Sequence, residues 1–393
     1  MHYSSSAGNP IVYWSIYVLL TILLAFCGWK IANDNSKQTH FKKYAWIAGV
    51  SYSLIEGLRW MRGADYYHYY MDLSTNFAIG AYCTQNPELL YKLWVNLFHF
   101  LGVDPTIVFI LYSALLICGI LLIFKKYPKA AAWGLPLFFL MTNGQTENII
   151  RQTFATSFLI FAYVCYLYNR QKLMLVMLCI VPFIHMSGLY GVVLFLFFVY
   201  CKKPIKSPWL LLVLYAFTFF CWKPEWFQSF ADYISQFNLG EDNNMQNYID
   251  NSDRFFTEEG SMANVLGKKR YQLSTIYLTI SFIVNCITIF IGFKLSKNDF
   301  KLQVMYYFAY IALILKSIAG DIELFIRFAN WTDMMMPLLV AVSLTRLDLL
   351  KNPHLKIPIY ILFAINYAFY GFVRVIGSIC LLYTSPSPRD ATL

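Results

Sequence analysis

The sequence predicts an all-α fold, a polytopic transmembrane helical bundle of about twelve spans, and three observations carry that reading. Apolar residues make up 59% of the 393 and charged ones only 13%, with a mean hydropathy of +0.51, too apolar for a soluble globule around one core. Those apolar residues gather into windows of near-spanning length. The connections between alternate windows are basic, as orientation in a bilayer requires.

The first window, 11–29, is not preceded by a basic segment and runs into Lys30, so it reads as a first transmembrane helix and not as a cleaved leader. Windows follow near 44–60, 106–124, 131–142 and 152–168. The next stretch, 172–200, is interrupted by Pro182, Ser187 and Gly188, and reads as two short helices, 172–187 and 188–200. That division puts Cys201-Lys202-Lys203-Pro204-Ile205-Lys206 on the same side as the other basic connections, and irregular backbone at membrane depth often lines a cavity. Windows near 208–222, 273–293, 302–319, 330–345 and 357–378 complete the set.

With 30–43 placed in the cytoplasm, alternation puts 125–129, 169–172, 201–206, 294–301 and 346–356 there too. Together these connections hold 18 of the 31 Lys and Arg but only 3 of the 21 Asp and Glu. Two long segments, 61–105 and 223–272, then fall outside. The first contains Leu89, Leu90, Leu93, Leu97 and Phe100 at helical spacing beside Lys92, Asn96 and His99, the pattern of an interfacial helix. The second is acidic at 240–244 and 257–259 before Lys268-Lys269-Arg270, and reads as a solvated loop or as a lid over an acceptor. Residues 1–380 are thus expected to form a single transmembrane domain with extracytoplasmic loops 61–105 and 223–272. Residues 383–393 change composition abruptly and read as a non-native tail.

Several function classes fall away. The net charge of +10 is spread between spans and forms no basic patch with interleaved aromatics, so nucleic acid is not an expected partner. The nine cysteines stand singly, without C-x-x-C spacing, which supports neither a disulfide framework nor a zinc site. There is no P-loop, G-x-G-x-x-G, H-E-x-x-H or G-x-S-x-G, and no D-x-D pair in an outer loop. No cofactor and no metal are expected; a substrate already carried in the membrane fits better.

Arg59, Arg62, Arg151 and Arg327 stand at span ends that the charge map places on one side. An arginine costs roughly 2.5–3.5 kcal/mol at a helix centre in a bilayer, so four converging ones point to an anionic ligand. Arg59 and Arg62 belong to Arg59-Trp60-Met61-Arg62-Gly63-Ala64-Asp65-Tyr66, where two guanidiniums can fork onto phosphate, Gly63 admits close backbone approach, and Asp65 supplies a carboxylate. The plainer reading is a snorkelling Arg59, an Arg62–Asp65 surface pair and an aromatic belt. Arg151 follows Glu147 at i, i+4, as Arg327 follows Glu323, so a helix-stabilising ion pair competes with ligand binding at both. Gln152 can read hydroxyls. His185 lies where the chain breaks, and a free imidazole titrates near about 6.5, suited to proton transfer, although a lone histidine at a helix end is more often simply hydrogen-bonded.

Taken in order, Arg59…Gly63-Ala64-Asp65-Tyr66 with Tyr69, Glu88-Leu89-Leu90-Tyr91, Asn148-Ile149-Ile150-Arg151-Gln152, Ile184-His185-Met186-Ser187 and the late Arg327 resemble the EpsG family of exopolysaccharide polymerases, relatives of Wzy-type O-antigen polymerases. The resemblance covers about residues 10–375; Ala64 departs from a commoner Thr, and Trp331 stands where Tyr or Phe is expected. It implies a multi-pass enzyme of the bacterial inner membrane, with a fold similar to integral-membrane glycosyltransferases. Such an enzyme joins oligosaccharide repeat units carried on undecaprenyl diphosphate at the outer face, in capsule, exopolysaccharide or O-antigen synthesis, with a chain-length regulator as a further partner. On that reading Arg59, Arg62, Arg151 and Arg327 grip the diphosphate, Gln152 and Glu88 bind substrate, and Tyr66 and Tyr69 stack on sugars. His185 or Asp65 takes the acceptor proton, His185 being preferred because neighbouring arginines weaken an aspartate as a base. The alternatives are a flippase for lipid-linked oligosaccharides, a membrane O-acyltransferase acting on polysaccharide, and a non-catalytic assembly subunit.

Overall fold

The computed structural model describes residues 10–33, 39–59, 66–75, 88–201, 205, 207–221, 275–297, 299–319, 323–350 and 352–384. Asp65 and Arg62, with the rest of the segment from Trp60, lie outside the described residues, as do the 223–272 loop and residues 385–393. Among the described residues the regular structure is entirely helical, and the apolar windows fall mainly on helix, with non-helical breaks at 185–187 and 334–335. Five helices among the described residues are long and apolar enough to cross a membrane: Val12–Ala32, Pro105–Lys126, Ile150–Leu167, Thr275–Ser296 and Phe300–Ala319. Several other apolar helices are shorter, so the chain reads as a multi-pass membrane protein.

The described residues form two compact units, one drawn from Met1–Val193, Val340–Leu347 and Asn352–Leu393, the other from Leu194–Leu339 and Asp348–Lys351.

In the first unit, α1 (Pro10–Ala32) buries Tyr17, Leu20, Leu24, Cys27 and Ile31. Their alternating spacing of three and four makes one stripe, and it packs on α2 (Thr39–Gly57) and α6 (Ala131–Asn148). Contact is close: a Cβ on Gly28 would lie 2.2 Å from the Ala131 carbonyl oxygen, so glycine is required there. Tyr17 stacks on Phe139 at 5.1 Å and Tyr52 lies 6.2 Å from Phe138, fastening α1 and α2 to α6. At the far end of α1 the ammonium of Lys30 sits 4.7 Å from the Trp29 ring, an aromatic-capped cation typical of a membrane interface.

Two short helices, α3 (Tyr66–Ser74) and α4 (Leu89–Phe100), precede α5 (Pro105–Lys126). α5 begins where the Asp104 side chain accepts the Thr106 N–H at 2.8 Å and Pro105 occupies the first turn; it ends on Lys125 and Lys126, which complement the helix dipole. α4 leaves Leu89, Leu93, Leu97 and Phe100 exposed and buries Tyr91 and Val95.

α6 stops at Ile149, whose φ of −108° and ψ of 57° break the helix before α7 (Ile150–Leu167) starts. α7 turns into α8 (Gln171–Ile184) through Asn169, at φ 59°. The Arg170 N–H reaches back to the Cys165 carbonyl, the six-to-one bond of a Schellman turn with Asn in place of Gly. α8 contains Pro182 and ends on an extended His185 (φ −152°, ψ 110°), after which α9 (Gly188–Tyr200) begins. The stretch 172–200 is therefore two helices, as its internal Pro, Ser and Gly predict.

The second unit takes in the end of α9, α10 (Pro208–Phe220), α11 (Thr275–Ser296), α12 (Phe300–Ala319), α13 (Glu323–Asp333) and the start of α14 (Met336–Leu344). Buried phenols tie it together: Tyr310 donates to the Leu211 carbonyl at 2.9 Å, and Tyr215 accepts from Asn285 at 2.9 Å. Lys316 reaches the buried Asp333 at 2.5 Å, beside the break between α13 and α14. The last helix, α15 (Lys356–Thr384), returns to the first unit and packs on α6, Tyr360 stacking on Trp133 at 5.4 Å. Its end at Thr384 reaches past the start of the tail expected from composition.

Candidate active site

The first unit carries a charged cluster where three helix ends meet. Glu88 immediately precedes α4, Arg151 stands in the first turn of α7, and His185-Met186-Ser187 is the break between α8 and α9. Arg151 Nη1 donates to Glu88 Oε2 at 2.7 Å, while Glu88 Oε1 accepts the Met186 N–H at 2.6 Å. That backbone donor is available because the chain has just left helical geometry. His185 Nδ1 lies 4.0 Å from Glu88 Oε1 and 3.1 Å from Ser187 Oγ.

Arg151 also lies over the ring of Tyr91, its Cζ 5.4 Å from the centroid, so the guanidinium is clamped between a carboxylate and a π face. Burial pushes the Tyr91 phenol well above its ordinary value, so it stays neutral beside the cation. Arg151 Nε is buried and makes no hydrogen bond among the described residues. The Glu147–Arg151 spacing does not decide the matter as one helix would. Ile149 breaks the chain between them, Glu147 accepts from Tyr17 at 2.7 Å, and Arg151 turns to Glu88.

Arg59 has a different setting. It is 5% exposed, with Nη1 3.0 Å from Glu56 Oε2 and Nη2 donating to the Thr146 carbonyl at 2.7 Å; Thr146 Oγ1 in turn donates to Glu56 at 3.1 Å. This is a buried ion pair joining α2 to the end of α6. Glu56 stands in the last turn of α2 and Arg59 two residues past its end, so the pair closes over the helix terminus. Arg59 is therefore held by protein groups on two of its three nitrogens.

Tyr66 is buried, its ring 4.8 Å from Phe109 and 6.2 Å from Tyr70. Burial pushes its phenol up to about 12. Tyr69 is half-buried on the same short helix, and Gln152 is buried in the first turn of α7. Arg327 is half-buried on α13 and belongs to the second unit. The structure thus brings Glu88, Arg151 and His185 together and puts Arg59 in an adjoining buried network of the same unit. Among the described residues no group of three or more His, Cys, Asp or Glu could hold a metal ion.

Comparison with known proteins supplies one match. A family model described as EpsG family matches residues 42–385, nearly the whole chain. No curated protein and no solved structure matches.

Proposed function

This chain belongs to the EpsG family, a Wzy-like polymerase family, and from that premise we propose that it joins oligosaccharide repeat units carried on undecaprenyl diphosphate. The reaction takes place at the outer face of the bacterial inner membrane, in a bundle whose twelve apolar windows all cross the bilayer with their basic connections inside. The observation that carries the reading is the Arg151–Glu88–His185 cluster: a cation paired with a carboxylate beside a histidine at a helix break.

In the reaction an acceptor hydroxyl attacks the anomeric carbon of the donor sugar. The bond from that carbon to the diphosphate oxygen breaks, the diphosphate leaves with the electron pair, and His185 takes the acceptor's proton. Arg151 binds the diphosphate and stabilises the charge that grows on it, a term that is large in a site shielded from water. Arg62 of the first loop is the second cation of this grip, as the family motif implies. With Ser187 and Glu88 at Nδ1, the tautomer carrying hydrogen there leaves the Nε2 lone pair for the proton. Glu88 holds Arg151 and the His185–Ser187 backbone in register, a positioning role more specific than the substrate contact expected from sequence.

The test is conversion of a synthetic undecaprenyl-diphosphate repeat unit by purified protein in EDTA, with Arg151→Ala and His185→Ala in parallel. A ladder of longer lipid-linked glycans that both substitutions abolish supports a metal-independent polymerase using this site. No ladder, with transbilayer movement of the same lipid in vesicles, would replace the polymerase by a flippase.

A further inference from the structure

Beside the charged cluster, α4 and α8 enclose a groove of about 450 Å³, a size within the usual range of ligand pockets. Its walls include Leu89, Leu93, Leu175, Val176, Cys179 and Phe183, and are almost wholly apolar. One end of the groove adjoins the cluster: Leu89 follows Glu88, and Phe183 stands two residues before His185. The other end lies at Leu175, about 12 Å back along α8 at 1.5 Å per residue. That length is close to one leaflet's share, about 15 Å, of a hydrocarbon core.

An apolar trough leading into a polar, arginine-bearing end is complementary to an amphiphile with a long hydrocarbon tail and an anionic head. We infer that this groove seats the first isoprenoid units of the donor's polyprenyl tail, with its diphosphate delivered to Arg151; the inference rests on the polymerase reading. On the topology proposed above, α8 runs from the cytoplasmic side outward, so a tail in the groove descends into the bilayer while the head stays at the outer end. Leu89 and Leu93 keep 64% and 55% exposure, so the trough is open along its side and a tail enters laterally from the membrane.

The test uses purified full-length protein in phospholipid vesicles and a polyprenyl diphosphate bearing a photoreactive diazirine on its second isoprene unit, with crosslinks mapped by peptide mass spectrometry. Crosslinks are expected at 89–93 and 175–183, competed by unlabelled polyprenyl diphosphate. Filling the groove with Cys179→Trp or Val176→Phe, both at exposed positions that leave the helix packing alone, should weaken labelling roughly tenfold, the equivalent of about two methylenes of lost burial. Equal labelling by the polyprenyl alcohol lacking diphosphate, labelling spread over other helices, or no effect of either substitution would overturn the inference in favour of bulk lipid. Because labelling needs no turnover, a protein that polymerises without labelling here loses the groove alone. A protein that labels here with competition but builds no glycan keeps the groove as a lipid-diphosphate site and loses the polymerase reading.

Discussion

Glu88 and Arg151, 63 positions apart in the chain, form an ion pair of 2.7 Å, and the second oxygen of the same carboxylate holds the Met186 N–H at 2.6 Å. One side chain thus spans the starts of α4 and α7 and the break after α8. A hydrogen bond to a charged group contributes about 1.5–3 kcal/mol, and a glutamine can satisfy only one of the two donors with its single carbonyl. Glu88→Gln is therefore expected to lower the initial rate of polymer formation roughly tenfold to hundredfold, and Glu88→Ala further. Thermal unfolding in detergent should move little, because the pair is partly exposed. An active Glu88→Ala protein would show that the cluster does not need its carboxylate.

Arg151→Lys keeps the charge but not the planar fork. A guanidinium can hold Glu88 with one nitrogen and phosphate oxygens with others; an ammonium on a flexible stem cannot hold both in fixed directions. The expected result is loss of polymer by a factor of about a hundred, with binding of the lipid donor reduced less than turnover, since the interaction matters most as charge develops on the leaving diphosphate. Turnover and donor KM measured side by side check this. Near-normal polymer from the lysine variant would remove Arg151 from the mechanism.

What could be read in advance divides along physical lines. The helices were legible because apolar periodicity and hydropathy report burial in lipid or protein directly, and Pro182 with Gly188 marked the break that presents His185. The motif residues Glu88, Arg151 and His185 could be named, but their mutual contact depends on how α4, α7 and α8 pack, which spacing along the chain does not encode. The break between α13 and α14 was missed inside an apolar window, although Pro337 in the first turn of α14 is a known mark of a helix start. The Glu56–Arg59 pair is not legible for another reason: a carboxylate near the end of an apolar window carries no motif of its own, and only the buried Thr146 carbonyl and hydroxyl show what the pair is packed against.

Tyr66 gives a pH signature outside the spans. Burial raises its phenol from an ordinary value of 10 to about 12. The raised value means that the folded state disfavours the phenolate, so the stabilisation is complete below pH 10 and is lost as pH climbs through 12. Tyr66→Phe removes this ionisation. Its unfolding midpoint in detergent should fall less between pH 9.5 and 12 than that of the wild type, which a thermal series over that range measures, while polymer formed at neutral pH stays within about twofold because the ring contacts with Phe109 remain.

Arg59 poses the sharpest choice between holding substrate and holding the fold. Its partner Glu56 is 0% exposed, and removing one member of a buried pair leaves the other charge uncompensated, typically at a cost of 3–5 kcal/mol, roughly the scale expected here. Arg59→Met should thus lower the unfolding temperature sharply, and polymer should vanish with the folded protein. Replacing both groups by apolar residues of similar length, Glu56→Leu with Arg59→Met, removes the orphaned carboxylate and should recover much of the stability, since buried pairs seldom outdo a well-packed apolar substitute by much. Polymer formation then decides the role. If the stable double variant regains activity, Arg59 serves to lock α2 onto the end of α6 beside the site. If it is stable and inactive, the Arg59–Glu56 pair serves the reaction itself and not the fold alone.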